Sequence, residues 1–324
     1  MTAIENAAGP GSPQADPAKK AVRLDIDAVS NSQLVINLLS TVAGKLPQRT
    51  GYQVADLAAV IISQQKNSKL VRAIRANQWV ISGERLGREE LEAAVRATLR
   101  HSARAIFDLY HYVQNLAAAG ERVTLEPAFE QLTRRPEFDS RGLLIAGIHG
   151  AGFDLVLRWF CHTGRSPLVL TVPELRGGRQ TEFEMRRQGG MNLVPANMAG
   201  LRHALRHLEL GGAVLTGIDR PIRDPRVQPR FFNKPAALPV HYVQLAARAK
   251  AQVVLAASRL EEDGKYHADI SEPVEMTTQN NEMVHVLRDA ERILQMAAEF
   301  ISRVPHQWVV PLPVWPSVMG KIPQ

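Results

Sequence analysis

Residues 143–154 read Leu-Leu-Ile-Ala-Gly-Ile-His-Gly-Ala-Gly-Phe-Asp, an apolar run that ends in a turn holding Gly147, Gly150, Gly152, His149 and Asp154. The apolar residues are continuous rather than alternating with polar ones. That predicts a strand buried on both faces, and the glycines predict a tight exit into a helix. Three more runs share the character: PLVLTV (167–172), AVLTGI (213–218) and QVVLAA (252–257). Helical patterns lie between them, GLRHALRHLELG (200–211) and LPVHYVQLAARAK (238–250), and a last helix over 282–303 lines up Val284, Leu287, Leu294, Ala298 and Ile301. Strands alternating with helices predict the α/β class, with a mostly parallel central sheet flanked by helices.

Upstream, residues 30–117 read as helical, most clearly over 88–113, where Leu91, Val95, Leu99, Ile106 and Val113 recur at helical spacing and Glu89 and Glu90 suit the first turn. This predicts a helical N-terminal layer. The expected organisation is one globular unit: a disordered tail over 1–24, a helical region over 25–135, and an α/β core over 136–318. Residues 1–20 have no apolar core of the kind a signal peptide carries. The most apolar stretches, 34–47 and 54–63, are interrupted by Lys45 and Asp56 and are too short to span a bilayer.

The chain has 324 residues, 45% of them hydrophobic and 22% charged, which is ordinary globular composition. A single cysteine, Cys161, excludes an internal disulfide framework and fits a reducing compartment. The formal charge of +7 and pI near 9.7 favour acidic partners. No nucleophile elbow, zinc-ligand spacing or P-loop is present.

The glycine turn admits two chemistries. With Glu174 about 20 residues on, it could cradle a dinucleotide, although the spacing is G-x-x-G-x-G with a histidine inside the turn. Alternatively, His149 and Asp154 form H-x-x-x-x-D. A strand-end histidine can take a proton from a hydroxyl while an acid in the next helix turn holds its other nitrogen. The pattern alone is weak: 10 histidines and 32 acids in 324 residues yield about one such spacing by chance. Two occur, the second being His267 and Glu272 in a strand-and-turn context that separates the partners.

Four ordered blocks strengthen the histidine reading. After His149 and Asp154 come FEMRRQGGMNLVP (183–195) with Arg186 and Arg187, then GGAVLTGIDRP with Asp219 and Arg220, then FFNKPAALP (231–239), and last Pro305, Gln307, Trp308 and Trp315. In these blocks the chain resembles the lysophospholipid-acyltransferase-like superfamily, in the branch of the lipid A lauroyl/myristoyl acyltransferases and the phosphatidylinositol mannoside acyltransferase. The resemblance runs from about residue 30 to 315. Gly152 and Phe153 stand where that family usually has Asn-Trp, and VVPLPV follows Trp308 in place of a basic, aromatic segment.

The resemblance implies O-acyl transfer from a thioester, acyl carrier protein or acyl-CoA, to a hydroxyl of a lipid or glycolipid, with no bound cofactor or metal and no nucleic-acid partner. It implies His149 as general base, Asp154 as the group orienting it, and Arg186 or Arg187, Asp219 and Arg220 at the substrate; the glycine turn and the basic stretch add Gly150, Gly152 and Arg223 as expected substrate-binding residues. The +7 charge and the absence of a spanning segment give the expectation of a cytoplasmic protein held peripherally at the inner, anionic face of the cell membrane. A non-catalytic lipid-binding module of the same fold and a nucleotide-binding oxidoreductase are the alternatives. Arg220, Arg223, Arg226, Arg230 and Lys234 form a basic stretch suited to an anionic group. Cys161 reads as packing, and Trp308 and Trp315 read as core more than as membrane-interface residues.

Overall fold

The computed structural model describes residues 41–133, 141–164, 166–172, 178–223, 225–277 and 282–323. The expected tail, Glu174 and the boundary placed between 135 and 136 lie outside them. In chain order the elements are helices α1 (Gln48–Ser63), α2 (Lys69–Ile81), α3 (Arg88–Tyr112) and α4 (Leu116–Ala119), strand β1 (Val123–Leu125), α5 (Pro127–Thr133), β2 (Leu143–Gly147), α6 (Phe153–His162), β3 (Leu168–Thr171), α7 (Gly178–Gln188), β4 (Asn192–Pro195), α8 (Met198–Glu209), β5 (Ala213–Gly217), β6 (Arg230–Phe231), β7 (Lys234–Pro235), α9 (His241–Ala249), β8 (Gln252–Leu260), β9 (Tyr266–Ile270) and α10 (Met283–Arg303).

Seven strands form one sheet in the order β1-β9-β8-β2-β5-β3-β4. β8, β2, β5, β3 and β4 are parallel neighbours; β9 runs antiparallel to β8, and β1 is parallel to β9. This is the predicted α/β class. Alternate residues of the central strands feed opposite faces, which is why their sequences are continuously apolar. Leu144 and Ala146 of β2 with Val253 and Leu255 of β8 pack under α8, α9 and α10, whereas Ile145 and Val254 pack under α6.

Of the parallel set, β2, β3, β5 and β8 sit where the apolar runs predict them. The short edge strands β1 and β4 were not legible as runs. At three or four residues each, they draw their stability from the neighbour's ladder more than from their own sequence. From β2 the chain moves outward to β3 and β4, and from β5 it moves back across β2 to β8. The strand order therefore reverses at the adjacent ends of β2 and β5, the position where open α/β sheets bind ligands.

The N-terminal helices form their own small core of Ala59, Val71, Ile74, Val95 and Leu99. Ser68 caps α2 by accepting from the Val71 N–H, and Glu90 accepts from the Gly87 N–H at the start of α3. Two polar locks fasten this layer to the sheet. Asp108 of α3, fully buried, accepts from the hydroxyls of Tyr52 at 2.7 Å and Tyr266 at 2.6 Å, joining α1 and α3 to β9. Asn77 of α2 donates to the carbonyls of Val310 and Leu312 and accepts from the Val314 N–H. Among the described residues no helix is long and apolar enough to cross a membrane.

Replacing Asn77 with alanine deletes three hydrogen bonds and strands buried backbone groups of the C-terminal segment. At about 1 kcal/mol per net bond and more for each unsatisfied buried group, a loss of roughly 2–4 kcal/mol is expected. Denaturant unfolding of Asn77→Ala checks it: a midpoint equal to that of the wild type would show that the C-terminal segment is held by its aromatic packing alone.

Candidate active site

Gly147 ends β2 and is in register with Gly217, the end of β5. His149 and Asp219 each lie two residues beyond those glycines and so emerge side by side at the switch point. Asp219 Oδ1 lies 2.6 Å from His149 Nδ1, and Asp219 Oδ2 accepts the His149 backbone N–H at 2.7 Å and the Trp308 indole N–H at 2.8 Å. A carboxylate on Nδ1 places the ring proton there and leaves Nε2 as the acceptor. Asp219 is fully buried, and burial alone would push its carboxyl up. The donors from His149 and Trp308 outweigh burial and hold it below the ordinary carboxylate value, so it stays ionised.

Asp154 does not orient His149. It stands in the first turn of α6, and its oxygens face Arg186 Nη2 at 2.8 Å and Arg158 Nε at 3.5 Å. Burial pushes its carboxyl up, but the two guanidinium groups outweigh that and hold it far below the usual range. The reason is geometric. An acid on the first helical turn points along the helix toward its own i+4 neighbour, Arg158, which is itself buried. The Nδ1 position is already filled from the neighbouring strand.

The glycines serve the fold. A Cβ on Gly150 would sit 2.1 Å from the Ser258 carbonyl oxygen of β8. Gly152 has φ +66°, and a Cβ there would meet the Tyr266 ring at 2.4 Å. The Gly150 N–H donates to the Ile148 carbonyl at 2.9 Å. Both positions require glycine for close packing, Gly152 also for a left-handed helix entry, and neither of them lines the cavity beside His149. Gly217 has a direct bearing on the site, since a Cβ there would come within 3.1 Å of His149 Cε1.

His149 lines a cavity of about 1120 Å³, at or above the roughly 300–1,000 Å³ of ordinary small-molecule sites. One part of the lining is apolar: Val156, Leu157 and Phe160 of α6 facing Val169, Leu193 and Leu215 of the sheet. The other part carries His149, Asp154, Arg186, Arg220, Arg223 and His241. Burial lowers the His241 pKa from its ordinary value, so the ring favours the neutral form.

Arg187 stands apart from this lining, with Glu184 at 4.0 Å. Of the basic stretch, Arg220 and Arg223 reach the cavity, whereas Lys234 pairs with Glu84 at 2.6 Å and the Arg230 N–H donates to Glu291. Trp308 and Trp315 are core residues, 3% and 0% exposed. Burial raises the Cys161 thiol to about 11, consistent with packing. The role of Trp308 at Asp219 carried no signal in the sequence, because 89 residues separate the two.

The fold and the site are those of an α/β enzyme, with an imidazole–carboxylate pair at the switch point of the sheet and a deep, partly apolar cavity beside it. A family model described as bacterial lipid A biosynthesis acyltransferase matches residues 32–316, and the chain belongs to that family. It is an acyltransferase of lipid biosynthesis. A comparison with curated proteins gave no match. The family assignment sets aside the nucleotide-binding oxidoreductase.

His267, of the second H-x4-[DE] pattern, makes no use of Glu272. Its Nδ1 lies 2.8 Å from Glu126 and its Nε2 3.1 Å from Asp263. The bond to Glu126 raises its pKa, burial opposes this, and Asp263 adds to the rise. A histidine with a raised folded pKa contributes stability that is fully present below its unfolded value of about 6.5 and is lost as pH rises through the higher folded value. Thermal melts across pH 6 to 8.5 should thus show wild type losing more of its margin over His267→Gln as pH rises; parallel curves would show that the two carboxylates do not favour the charged ring.

Proposed function

We propose that the protein transfers a fatty acyl group from a thioester, acyl carrier protein or acyl-CoA, to a hydroxyl of a lipid or glycolipid, with His149 as general base. The observation that carries this reading is the Asp219-held His149 on the wall of a cavity that is apolar along α6 and basic beside the histidine. His149 Nε2 takes the proton of the acceptor hydroxyl as its oxygen attacks the thioester carbonyl carbon. Asp219 stabilises the imidazolium that results. The C–S bond then breaks, the sulfur leaves with the proton returned by His149, and the acyl ester is formed. No acyl-enzyme is needed.

The apolar wall of Val156, Leu157 and Phe160 suits an acyl chain. Arg220 and Arg223 suit an anionic group of donor or acceptor, such as a phosphate, because a planar guanidinium can hold two of its oxygens. In this reading Asp154 keeps Arg186 extended into the cavity. Peripheral contact with an anionic membrane at the cytoplasmic face is supported by the formal +7 charge and by the exposed Val54, Leu57 and Ile61 of α1. Binding to vesicles of anionic lipid that is unchanged in Leu57→Glu would remove α1 from that contact.

Loss of a general base typically costs about 10²–10⁴ in rate. His149→Ala and Asp219→Asn are both expected to lose transfer on that scale. Arg220→Ala and Arg223→Ala are expected chiefly to raise the apparent KM for one substrate. Mass spectrometry of bacterial glycolipid vesicles incubated with isotope-labelled palmitoyl-CoA or palmitoyl acyl carrier protein provides the measurement. Labelled ester formed at the wild-type rate by His149→Ala would end the proposal.

A further inference from the structure

The segment that follows α10 is hydrogen-bonded to the His149 turn, to Asp219 and to the end of β8. The Val309 N–H donates to the His149 carbonyl at 3.0 Å, and the Trp308 indole N–H donates to Asp219 Oδ2 at 2.8 Å. Gln307 exchanges two bonds with the Leu260 backbone at the end of β8, accepting at 2.7 Å and donating at 2.8 Å. Trp308 does not line the substrate cavity. Its ring is held edge-on by Phe231 at 5.9 Å and by Trp315 at 6.1 Å between centroids.

An indole nitrogen can only donate, and a buried carboxylate is the strongest acceptor it can meet. Asp219 Oδ2 is thereby fixed between two donors, the Trp308 indole and the His149 backbone, so the carboxylate cannot rotate and Oδ1 remains on Nδ1. We propose that Trp308 is a positioning residue for the His149–Asp219 pair: its indole N–H locks the Asp219 carboxylate and draws negative charge onto Oδ2, away from the imidazole. This rests on His149 being the base, but the geometry can be tested without any substrate.

The sign follows from the charge. Without the indole N–H, more negative charge remains on Oδ1, and the protonated His149 ring is favoured. The other groups facing His149 are the Phe153 ring of α6 at 4.7 Å and, around the cavity, Asp154, Arg186, Arg220, Arg223 and His241. The single indole N–H of Trp308 is given to Asp219, so Trp308→Phe removes that bond while keeping an aromatic ring between Phe231 and Trp315.

The experiment is a titration of the ¹⁵N-labelled histidine rings by NMR in wild type and Trp308→Phe, with His149 assigned by its loss in His149→Gln. The expected result is that the His149 ring of the variant holds its proton about three- to tenfold more tightly than in wild type. An unchanged or weakened proton affinity in a folded variant overturns the proposal. Should Trp308→Phe fail to fold, wild type decides alone: of its four tryptophan indole N–H signals, one must follow the His149 titration. If none does, the proposal falls.

Transfer from palmitoyl-CoA to bacterial glycolipid vesicles separates the two readings. A positioning role lowers kcat about tenfold or more with KM nearly unchanged, and moves the acidic limb of the pH profile upward. Absence of transfer by wild type with both palmitoyl donors would count against the acyltransfer reading, while the ring titration would still decide the part played by Trp308.

Discussion

The register between β2 and β5 is the constraint from which the site follows. Pairing Gly147 with Gly217 puts the next residues of both strands at one level, so His149 and Asp219 meet without any loop having to reach across. β8 pairs on the other side of β2, with Ala256 opposite Gly147, and brings Ser258 to the same level. There the Ser258 hydroxyl donates to the Ala151 carbonyl at 2.8 Å, and its carbonyl fills the space that a side chain on Gly150 would need. A slip of one residue in either pairing would turn His149 or Asp219 to the opposite face of the sheet. The hydrophobic patterning of both faces prevents the slip, because it would carry Leu144, Ala146, Val214 and their neighbours out of their packing.

Asp154 and Asp219 are kept ionised by different means. Asp154 is compensated by full guanidinium charges, Arg186 and Arg158, and is tied to the basic side of the cavity. Asp219 is compensated chiefly by the His149 imidazole, and then by the N–H donors of His149 and Trp308. An acid neutralised by arginine has little left to offer a histidine. An acid without a guanidinium partner keeps its charge available for the imidazole, which is what the proposed proton transfer requires.

The helical layer is not a separate appendage. Asn77 and Gln78 of α2 hold the backbone between Pro305 and Val314, the same stretch that carries Trp308 and Val309. Asp108 of α3 holds Tyr266, whose ring lies over Gly152 at the entry to α6. Both polar locks therefore end one step from the His149 turn.

The sequence by itself determined the class of the fold, because continuous apolar runs such as 143–148 and 252–257 can be satisfied only by strands covered on both sides. It also singled out His149 as the candidate base, from its place in a glycine turn at the end of such a strand. Ordered blocks along the chain carried the family. The tertiary structure alone decided which acid meets His149. Spacing favoured Asp154, five residues away, yet strand pairing brought Asp219 from 70 residues away, and Trp308 from 89 residues beyond that. Local spacing reports which side chains share a turn, whereas the atoms around a buried charge are chosen by register and packing between segments remote in sequence.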